Sequence, residues 1–257
     1  MHRLVQLIAD YEPGELAFAE QLQRLELGVP DCVVNATFVA PGDTLAAGLC
    51  VAQLALAHGP PGWMVVHDVG AGERLCVGRT RAGAIVVGPD AGWSWSFVVD
   101  EVRELFYLDV GSRGARRPVR DLVSLAVRHA VTRHPHAVTE LVPRDSVPRV
   151  PACAIAWIDR AGNLTTTLSR APAEAGERVR VDIGDAGGVA LVAADRDAVP
   201  EGELALAPCS IGWPTRDGSR RRLLELGVQG GSAAELFDHP ATGAPIALAP
   251  LQPRAAA

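Results

Sequence analysis

Two acidic residues, Asp10 and Asp68, stand where the sequence predicts the ends of buried strands. Apolar residues predict one strand over Leu4 to Ile8 and another over Trp63 to His67. In open α/β sheets, ligands bind outside the carboxyl ends of the strands. Asp10 is therefore a candidate ligand-binding residue, although an acid at this position is also a common N-cap of the following helix.

Two glycine-containing stretches carry further polar groups. The first is Val87-Gly88-Pro89-Asp90-Ala91-Gly92, and the second is Asp159-Arg160-Ala161-Gly162-Asn163. Pro, Asp, Asn and Gly favour tight turns for local reasons, so each stretch taken alone predicts a turn. To predict a binding role for these stretches, further matching motifs elsewhere in the chain are needed.

A third stretch, Asp68-Val69-Gly70-Ala71-Gly72, resembles the first motif of a Rossmann methyltransferase, with Asp90 as a possible ribose-binding acid. In a Rossmann fold, a helix begins directly at this motif. The residues that follow instead predict a hairpin, with extended runs over Arg74 to Val77 and Ala84 to Val87. The Rossmann interpretation is therefore the weaker one.

The elements that position these residues alternate between strands and helices in the first half of the chain. Helical spacing of apolar residues predicts helices over Leu16 to Leu25, Leu45 to Ala57 and residues 117 to 132. With the strands between them, this order predicts an α/β N-terminal domain with a mainly parallel sheet. The prolines at 143, 148 and 151 predict a linker, which gives domains over residues 1–148 and 149–257.

The second half predicts a small all-β, barrel-like domain. Val179 to Ile183 alternates between apolar and polar residues, and Val189 to Val192 is a further strand candidate. Gly187-Gly188 between them predicts the turn, and Ser232 to Phe237 predicts one short helical turn.

Composition argues against several classes of protein. All 24 basic residues are arginines and 30 residues are acidic, which leaves a net charge of −6 and no nucleic-acid footprint. The five cysteines are widely spaced and predict neither a disulfide framework nor a zinc site, as expected in a reducing cytoplasm. We also predict no membrane span and no signal peptide.

Considered together and in order, the motifs resemble those of S-adenosylmethionine-dependent halogenases and hydroxide adenosyltransferases. That family has a strand ending in T-T-D-F-G, where this chain has Ile8-Ala9-Asp10-Tyr11-Glu12, and a second acid at the position of Glu15. Its G-P-D-N-G-L and I-D-x-F-G-N-L-x-T-N segments are similar to the stretches at 88–92 and 158–167. Its A-V-N-Q-G-S-A-A-E-L segment resembles Gly227 to Leu236.

The resemblance implies that the chain cleaves S-adenosylmethionine with water, by in-line attack at the ribose 5′ carbon, to give adenosine and methionine. It implies that Asp10 accepts hydrogen bonds from the ribose hydroxyls, and that Asp159 with Glu15 faces the methionine ammonium. It further implies that Asn163 reads the adenine edge and that Gln229 and Ser232 also bind the substrate. Asp68 and Arg74 would orient the attacking water as the catalytic pair.

The chain departs from the family at the third water-orienting position. The family has a His there, and the aligned residue here is Pro118. This departure favours the alternative of a non-catalytic S-adenosylmethionine or adenosine binder. A halogenase is a weaker alternative because the positions that bind halide carry Ala71 and Val119, whose side chains cannot donate. A methyltransferase is weaker still.

The resemblance also implies an assembly. Family members are homotrimers in which each site lies between the N-terminal domain of one subunit and the C-terminal domain of a neighbour. We therefore expect a cytoplasmic homotrimer that binds a small molecule and neither nucleic acid nor membrane. The resemblance implies no metal or redox cofactor, with S-adenosylmethionine as the substrate.

Overall fold

The computed structural model describes residues 3–57, 59–60, 62–110, 119–132 and 137–251, with residues 119–121 described by their backbone alone. Contacts between Cα atoms divide the chain into two compact units. The first comprises residues 1–150 and 213–218, and the second comprises residues 151–212 and 219–257.

The first unit contains a seven-stranded sheet in the order β2-β1-β3-β5-β4-β6-β7. Its strands are β1 (Arg3–Ala9), β2 (Cys32–Phe38), β3 (Met64–Asp68), β4 (Leu75–Thr80), β5 (Ile85–Pro89), β6 (Val102–Leu108) and β7 (Val138–Leu141). Strand β1 lies between β2 and β3 and is parallel to both, and β3 is parallel to β5. The carboxyl ends of these four strands therefore lie at one edge of the sheet.

The prediction of a mainly parallel α/β sheet is wrong. Strand β4 pairs antiparallel with both β5 and β6, and β6 pairs antiparallel with β7. The protein is mostly β, with two mixed seven-stranded sheets. The early strand–helix–strand pattern describes only β1 to β3. The β4–β5 hairpin follows, and although a helix lies between β6 and β7, these two strands pair antiparallel.

Helices cover both faces of this sheet at its parallel end. They are α1 (Leu16–Gly28), α2 (Thr44–Leu56) and α3 (Val119–Thr132). Helices α1 and α3 pack together, and their apolar residues share a core with alternate residues of the strands, among them Leu7 and Val66. Because neighbouring strand residues point to opposite faces, His67 lies on the other face, towards α2. These three helices occur where the apolar periodicity predicts them.

The second unit contains the other seven-stranded sheet, in the order β14-β10-β11-β12-β13-β9-β8. Its strands are β8 (Ile155–Ile158), β9 (Leu164–Thr166), β10 (Arg178–Ile183), β11 (Ala186–Val192), β12 (Leu204–Pro214), β13 (Arg220–Val228) and β14 (Ile246–Pro250). Strands β11 and β12 are parallel, so this sheet is also mixed. An isolated bridge joins Ala154 to Pro245, beside the two edge strands, and the sheet curls into a half-barrel.

Two local expectations for this unit have different outcomes. The turn predicted at Gly187-Gly188 is wrong, because both residues lie inside β11 and pair with β10. The turn lies at Gly184, whose φ of +58° is one that glycine adopts without steric cost. The helical turn near the end of the chain is confirmed as α4 (Ala233–Leu236), and the Ser232 hydroxyl accepts a hydrogen bond from the Glu235 amide at 3.1 Å.

Two glycines allow the α2 face of the first sheet to pack without a gap. A Cβ atom on Gly48 of α2 would lie 2.3 Å from the carbonyl oxygen of Trp93. A Cβ atom on Gly88 of β5 would lie 2.3 Å from the imidazole ring of His67. The close approach of these backbones therefore requires that both positions carry no side chain.

Among the described residues, no helix is long and apolar enough to span a bilayer.

The Gly88 contact gives a stability prediction. Gly88→Ala is expected to lower the free energy of unfolding by about 1–3 kcal/mol, because the buried His67 ring must move out of a packed position. Urea denaturation followed by circular dichroism measures this change. Gly28→Ala is the control, since a Cβ atom on this helical residue meets its nearest neighbours at 3.7 Å, an ordinary contact. Equal stability of the two variants would contradict the packing argument.

Candidate functional site

Asp10 lies at the carboxyl edge of the first sheet, directly after β1. The neighbouring residue Ala9 is in register with Asp68 on β3, so the two acids end adjacent parallel strands. The Oδ2 atom of Asp10 accepts hydrogen bonds from the backbone amides of Gly42, at 3.0 Å, and Gly70, at 3.4 Å. The Oδ1 atom makes no hydrogen bond to the described residues and remains available to a ligand.

The carboxylate of Asp68 is almost fully buried and is held by a tyrosine. The Tyr11 hydroxyl donates to Asp68 Oδ2 at 2.7 Å, and the two residues are 4% and 7% exposed, respectively. This distance is typical of a well-formed O–H···O hydrogen bond. The sequence interpretation missed Tyr11, although its position directly after Asp10 was a usable signal.

The Gly88–Gly92 motif forms the loop beside these acids. Gly92 has a φ of +46°, and a Cβ atom there would lie 2.3 Å from the Thr44 hydroxyl oxygen. The Trp93 amide donates to that same oxygen at 3.2 Å. The motif is therefore a tight turn packed on the first residue of α2, and this packing also borders Gly70, whose amide binds Asp10.

The structure does not bring Arg74 to Asp68. The Arg74 guanidinium lies 3.4 Å from the centroid of the Tyr107 ring and forms an ion pair with Glu140 at 2.5 Å. The Tyr107 hydroxyl donates to Asp90 at 3.0 Å, and burial together with Asp90 raises the pKa of this phenol. Arg74 thus belongs to a second cluster of polar side chains, which also contains Asp90.

His67 is fully buried, and its ring makes no hydrogen bond to the carboxyl group of Asp68. Its ring packs over Gly88 and makes an edge contact with Trp95, with centroids 5.4 Å apart. Neither ring nitrogen has a hydrogen-bond partner among the described residues, and burial lowers the pKa of the imidazole to about 3. The imidazole is therefore neutral at pH 7 and is part of the core.

The second unit contains the other predicted binding residues, and Asp159 organises them. Its Oδ1 atom accepts from the amides of Ala161 and Asn163, each at 2.9 Å, and its Oδ2 atom accepts from Asn163 Nδ2 at 2.8 Å. Asn163 is 6% exposed. The Asp159 carboxylate therefore fixes both the turn and the orientation of the Asn163 amide.

The segment near the C-terminus closes over this turn. The Ala234 amide donates to the carbonyl of Gly162 at 2.8 Å, and a Cβ atom on Gly162 would lie 2.0 Å from the Ser232 hydroxyl. On the other side of the turn, a Cβ atom on Gly227 would lie 2.8 Å from Asn163 Oδ1. Two motifs that are some 70 residues apart in the sequence are thus in direct contact.

Glu225 adds a carboxyl group that sequence reasoning missed. Its side chain is 15% exposed and pairs with Arg196 at 3.3 Å. Burial raises the pKa of the Glu225 carboxyl, Arg196 lowers it, and the nearby charge of Asp159 raises it. No local pattern marks this residue, because it is one of several polar positions on β13.

The remaining predicted residues have more peripheral positions. The exposed Glu15 accepts a hydrogen bond from the Glu12 amide at 2.9 Å and precedes α1. The backbone of Gln229 pairs with Gly202 and Glu203. Pro118 lies outside the described residues. In the described part of the chain, no cluster of three or more His, Cys, Asp or Glu residues is arranged to hold a metal ion.

Comparison with known proteins supports the fold and leaves the activity open. No family model and no curated protein matches the chain. It is similar to the crystal structure of an uncharacterized conserved protein from Thermotoga maritima, with a TM-score of 0.74 and 20% identity over 95% of this chain and 100% of that one. It is also similar to a conserved hypothetical protein from Thermus thermophilus, with a TM-score of 0.67 and 27% identity over 96% and 100% of the two chains.

His67 gives a prediction about acid stability. Its folded-state pKa of about 3 lies below the ordinary value of 6.5, so the unfolded chain binds the proton more readily between these values. Stability is therefore lost as the pH falls below 6.5, by about 2–3 kcal/mol at pH 4.5. Urea denaturation of wild type and His67→Leu at several pH values measures this loss. The variant is expected to lack this part of the pH dependence, and parallel curves would contradict the assignment.

Proposed function

We propose that this protein hydrolyses S-adenosylmethionine to adenosine and methionine. The observation that carries the proposal is the arrangement of Asp10 and Asp68 at the ends of adjacent parallel strands. The Asp10 carboxylate is partly exposed and has an oxygen available to a ligand, and the Asp68 carboxylate is buried at the end of the neighbouring strand. The identity of the substrate is inferred from the motif resemblance.

Asp10 is the proposed ribose-binding residue. The amides of Gly42 and Gly70 hold its Oδ2 atom, which fixes the plane of the carboxylate. Its Oδ1 atom then accepts a hydrogen bond from a ribose hydroxyl. Because the site is organised before the ligand binds, little conformational entropy is lost on binding.

Asp68 is the proposed acceptor for the attacking water. The water oxygen forms a bond to the 5′ carbon of the ribose as the bond from that carbon to sulfur breaks, and the electron pair of the broken bond stays on sulfur. Methionine leaves as a neutral thioether, so the leaving group needs no proton. The water loses one proton, which Asp68 accepts and passes to solvent. Positioning and desolvation of the water supply most of the rate enhancement.

The second unit is proposed to bind the adenine and methionine parts. Asn163 presents Oδ1 and its remaining Nδ2 hydrogen to the adenine edge, and Asp159 fixes that orientation. The carboxyl groups of Asp159 and Glu225 give this surface a negative potential that favours the methionine ammonium. Ser232 lies against the same turn, and Gln229 follows the end of β13. Both are proposed to bind the substrate. Following the resemblance, we propose a cytoplasmic homotrimer with sites formed between subunits.

A non-catalytic binder of S-adenosylmethionine or adenosine is the second candidate. The position of Arg74 favours it, because this guanidinium is held by Tyr107 and Glu140 and does not assist Asp68. Such a protein would keep Asp10 and the Asp159 turn for binding but would not convert its ligand.

Incubation of the purified protein with S-adenosylmethionine, with and without chloride, tests the proposal. Chromatography of the products is expected to show adenosine and methionine in equal amounts, at a rate above a control without protein. Binding by calorimetry without any product would establish the non-catalytic alternative. A 5′-chloroadenosine product would identify a halogenase, and S-adenosylhomocysteine formed with an added acceptor would identify a methyltransferase.

Asp10→Asn tests the ribose assignment. Asparagine keeps an oxygen that accepts from the Gly42 and Gly70 amides, but it removes the negative charge. The Kd for adenosine is expected to rise about 10- to 100-fold, the cost of losing a hydrogen bond to a charged group. Isothermal titration calorimetry measures this change, with the exposed turn residue Asp185→Asn as control. Unchanged affinity in Asp10→Asn would remove Asp10 from the binding site.

A further inference from the structure

We propose that the first unit contains a second ligand site, which binds a free α-amino acid with an apolar side chain. The site is a cavity of about 330 Å³ between the sheet and α3. Cavities of this size are typical of small-molecule sites, and an apolar cavity of about 150 Å³ is large enough to bind benzene. The ligand class follows from the lining of the cavity and does not depend on the proposed hydrolysis.

Apolar side chains form the wall of this cavity. They come from four strands and from α3, and they are Val77, Ile85, Phe106, Leu108, Ala130 and Val138. Val77 on β4 and Phe106 on β6 are partners in register, so their side chains lie on the same face of the sheet. Val138 is 45% exposed, which leaves part of the apolar surface in contact with solvent. Burial of an apolar ligand group against this wall is therefore favourable.

Two side chains of opposite charge lie beside the apolar wall. Arg79 on β4 and Glu104 on β6 both line the cavity, and they are direct partners in the antiparallel register. The Cβ atoms of such partners are about 4.5–5.5 Å apart. Both residues are exposed, and neither forms an ion pair with the part of the chain that the structure describes. A third polar side chain of the lining, that of His129, comes from α3.

This arrangement matches the two charged ends of a free amino acid. An α-amino acid carries a carboxylate and an ammonium on one carbon atom, and Arg79 and Glu104 provide the complementary charges at a similarly short spacing. The side chain of the ligand then lies against the apolar wall. A simple carboxylic acid would engage Arg79 alone, and a simple amine would engage Glu104 alone. The zwitterion with an apolar side chain is therefore the ligand that uses the whole lining.

The charged pair is separate from the acids at the carboxyl edge of the sheet. Arg79 pairs with Ile85, the first residue of β5, whereas the carboxyl end of β5 lies with those of β1 and β3. Arg79 and Glu104 are therefore at the end of the sheet opposite Asp10 and Asp68. A ligand held by this pair does not compete with one held by Asp10.

Isothermal titration calorimetry of the wild-type protein with L-leucine and with L-phenylalanine tests the proposal. Saturable binding is expected with a Kd of about 0.01–1 mM, as for a ligand of this small size. L-Glutamate, whose side chain is charged, is expected to bind at least about 10-fold more weakly. The absence of saturable binding for both apolar amino acids would overturn the proposal. The titration contains no S-adenosylmethionine, so its outcome is independent of the proposed hydrolysis.

Two analogues of leucine assign the charged groups. Leucinamide keeps the ammonium and lacks the carboxylate, and 4-methylpentanoate keeps the carboxylate and lacks the ammonium. Arg79→Gln is expected to weaken binding of L-leucine and 4-methylpentanoate about 10-fold or more and to leave that of leucinamide nearly unchanged. Glu104→Gln is expected to weaken binding of L-leucine and leucinamide by a similar factor and to leave that of 4-methylpentanoate nearly unchanged.

Arg81→Gln and Glu26→Gln are the matched controls, because both residues are exposed and neither lines the cavity. Each control is expected to bind L-leucine as the wild-type protein does. All four substituted side chains are exposed, so every variant is expected to fold, and circular dichroism checks this. Leucine affinity that is unchanged in both Arg79→Gln and Glu104→Gln would place the ligand elsewhere and overturn the site.

Discussion

The parallel register of β1 with β3 is the constraint on which the candidate site depends. It sets Ala9 opposite Asp68, and the residues that follow β1 therefore emerge beside the end of β3. Asp10 then receives the amides of Gly42 and Gly70, and Tyr11 reaches Asp68. A shift of one residue would send each of these side chains to the opposite face of the sheet and separate all of the contacts.

Close backbone packing keeps this edge rigid. Glycine at positions 48, 88 and 92 lets α2, β5 and the loop after β5 approach to distances that any side chain would prevent. The neutral imidazole of His67 fills the space over Gly88, where an ionised group would be costly to bury. The hydrogen-bond donors for Asp10 are backbone amides in this packed region, so the carboxylate is held without reliance on mobile side chains.

In the second unit, side-chain hydrogen bonds hold the polar groups in place. A single carboxylate, Asp159, takes three hydrogen bonds from its own turn and fixes the Asn163 amide. Gly162 and Gly227 then allow the segment that begins α4 and the end of β13 to close on this turn. The negative charges of Asp159 and Glu225 remain close together because Arg196 partly compensates the second of them.

Apolar periodicity and strand ends are local features, so they were enough to predict the three long helices, the early parallel strands and the acids at the strand ends. It did not predict the mixed sheets, since the direction in which β6 and β7 pair depends on partners far along the chain. Only the tertiary structure paired Tyr11 with Asp68 and gave Arg74 to Tyr107 and Glu140. A short motif records which groups are present, whereas strand register and packing decide which of them touch.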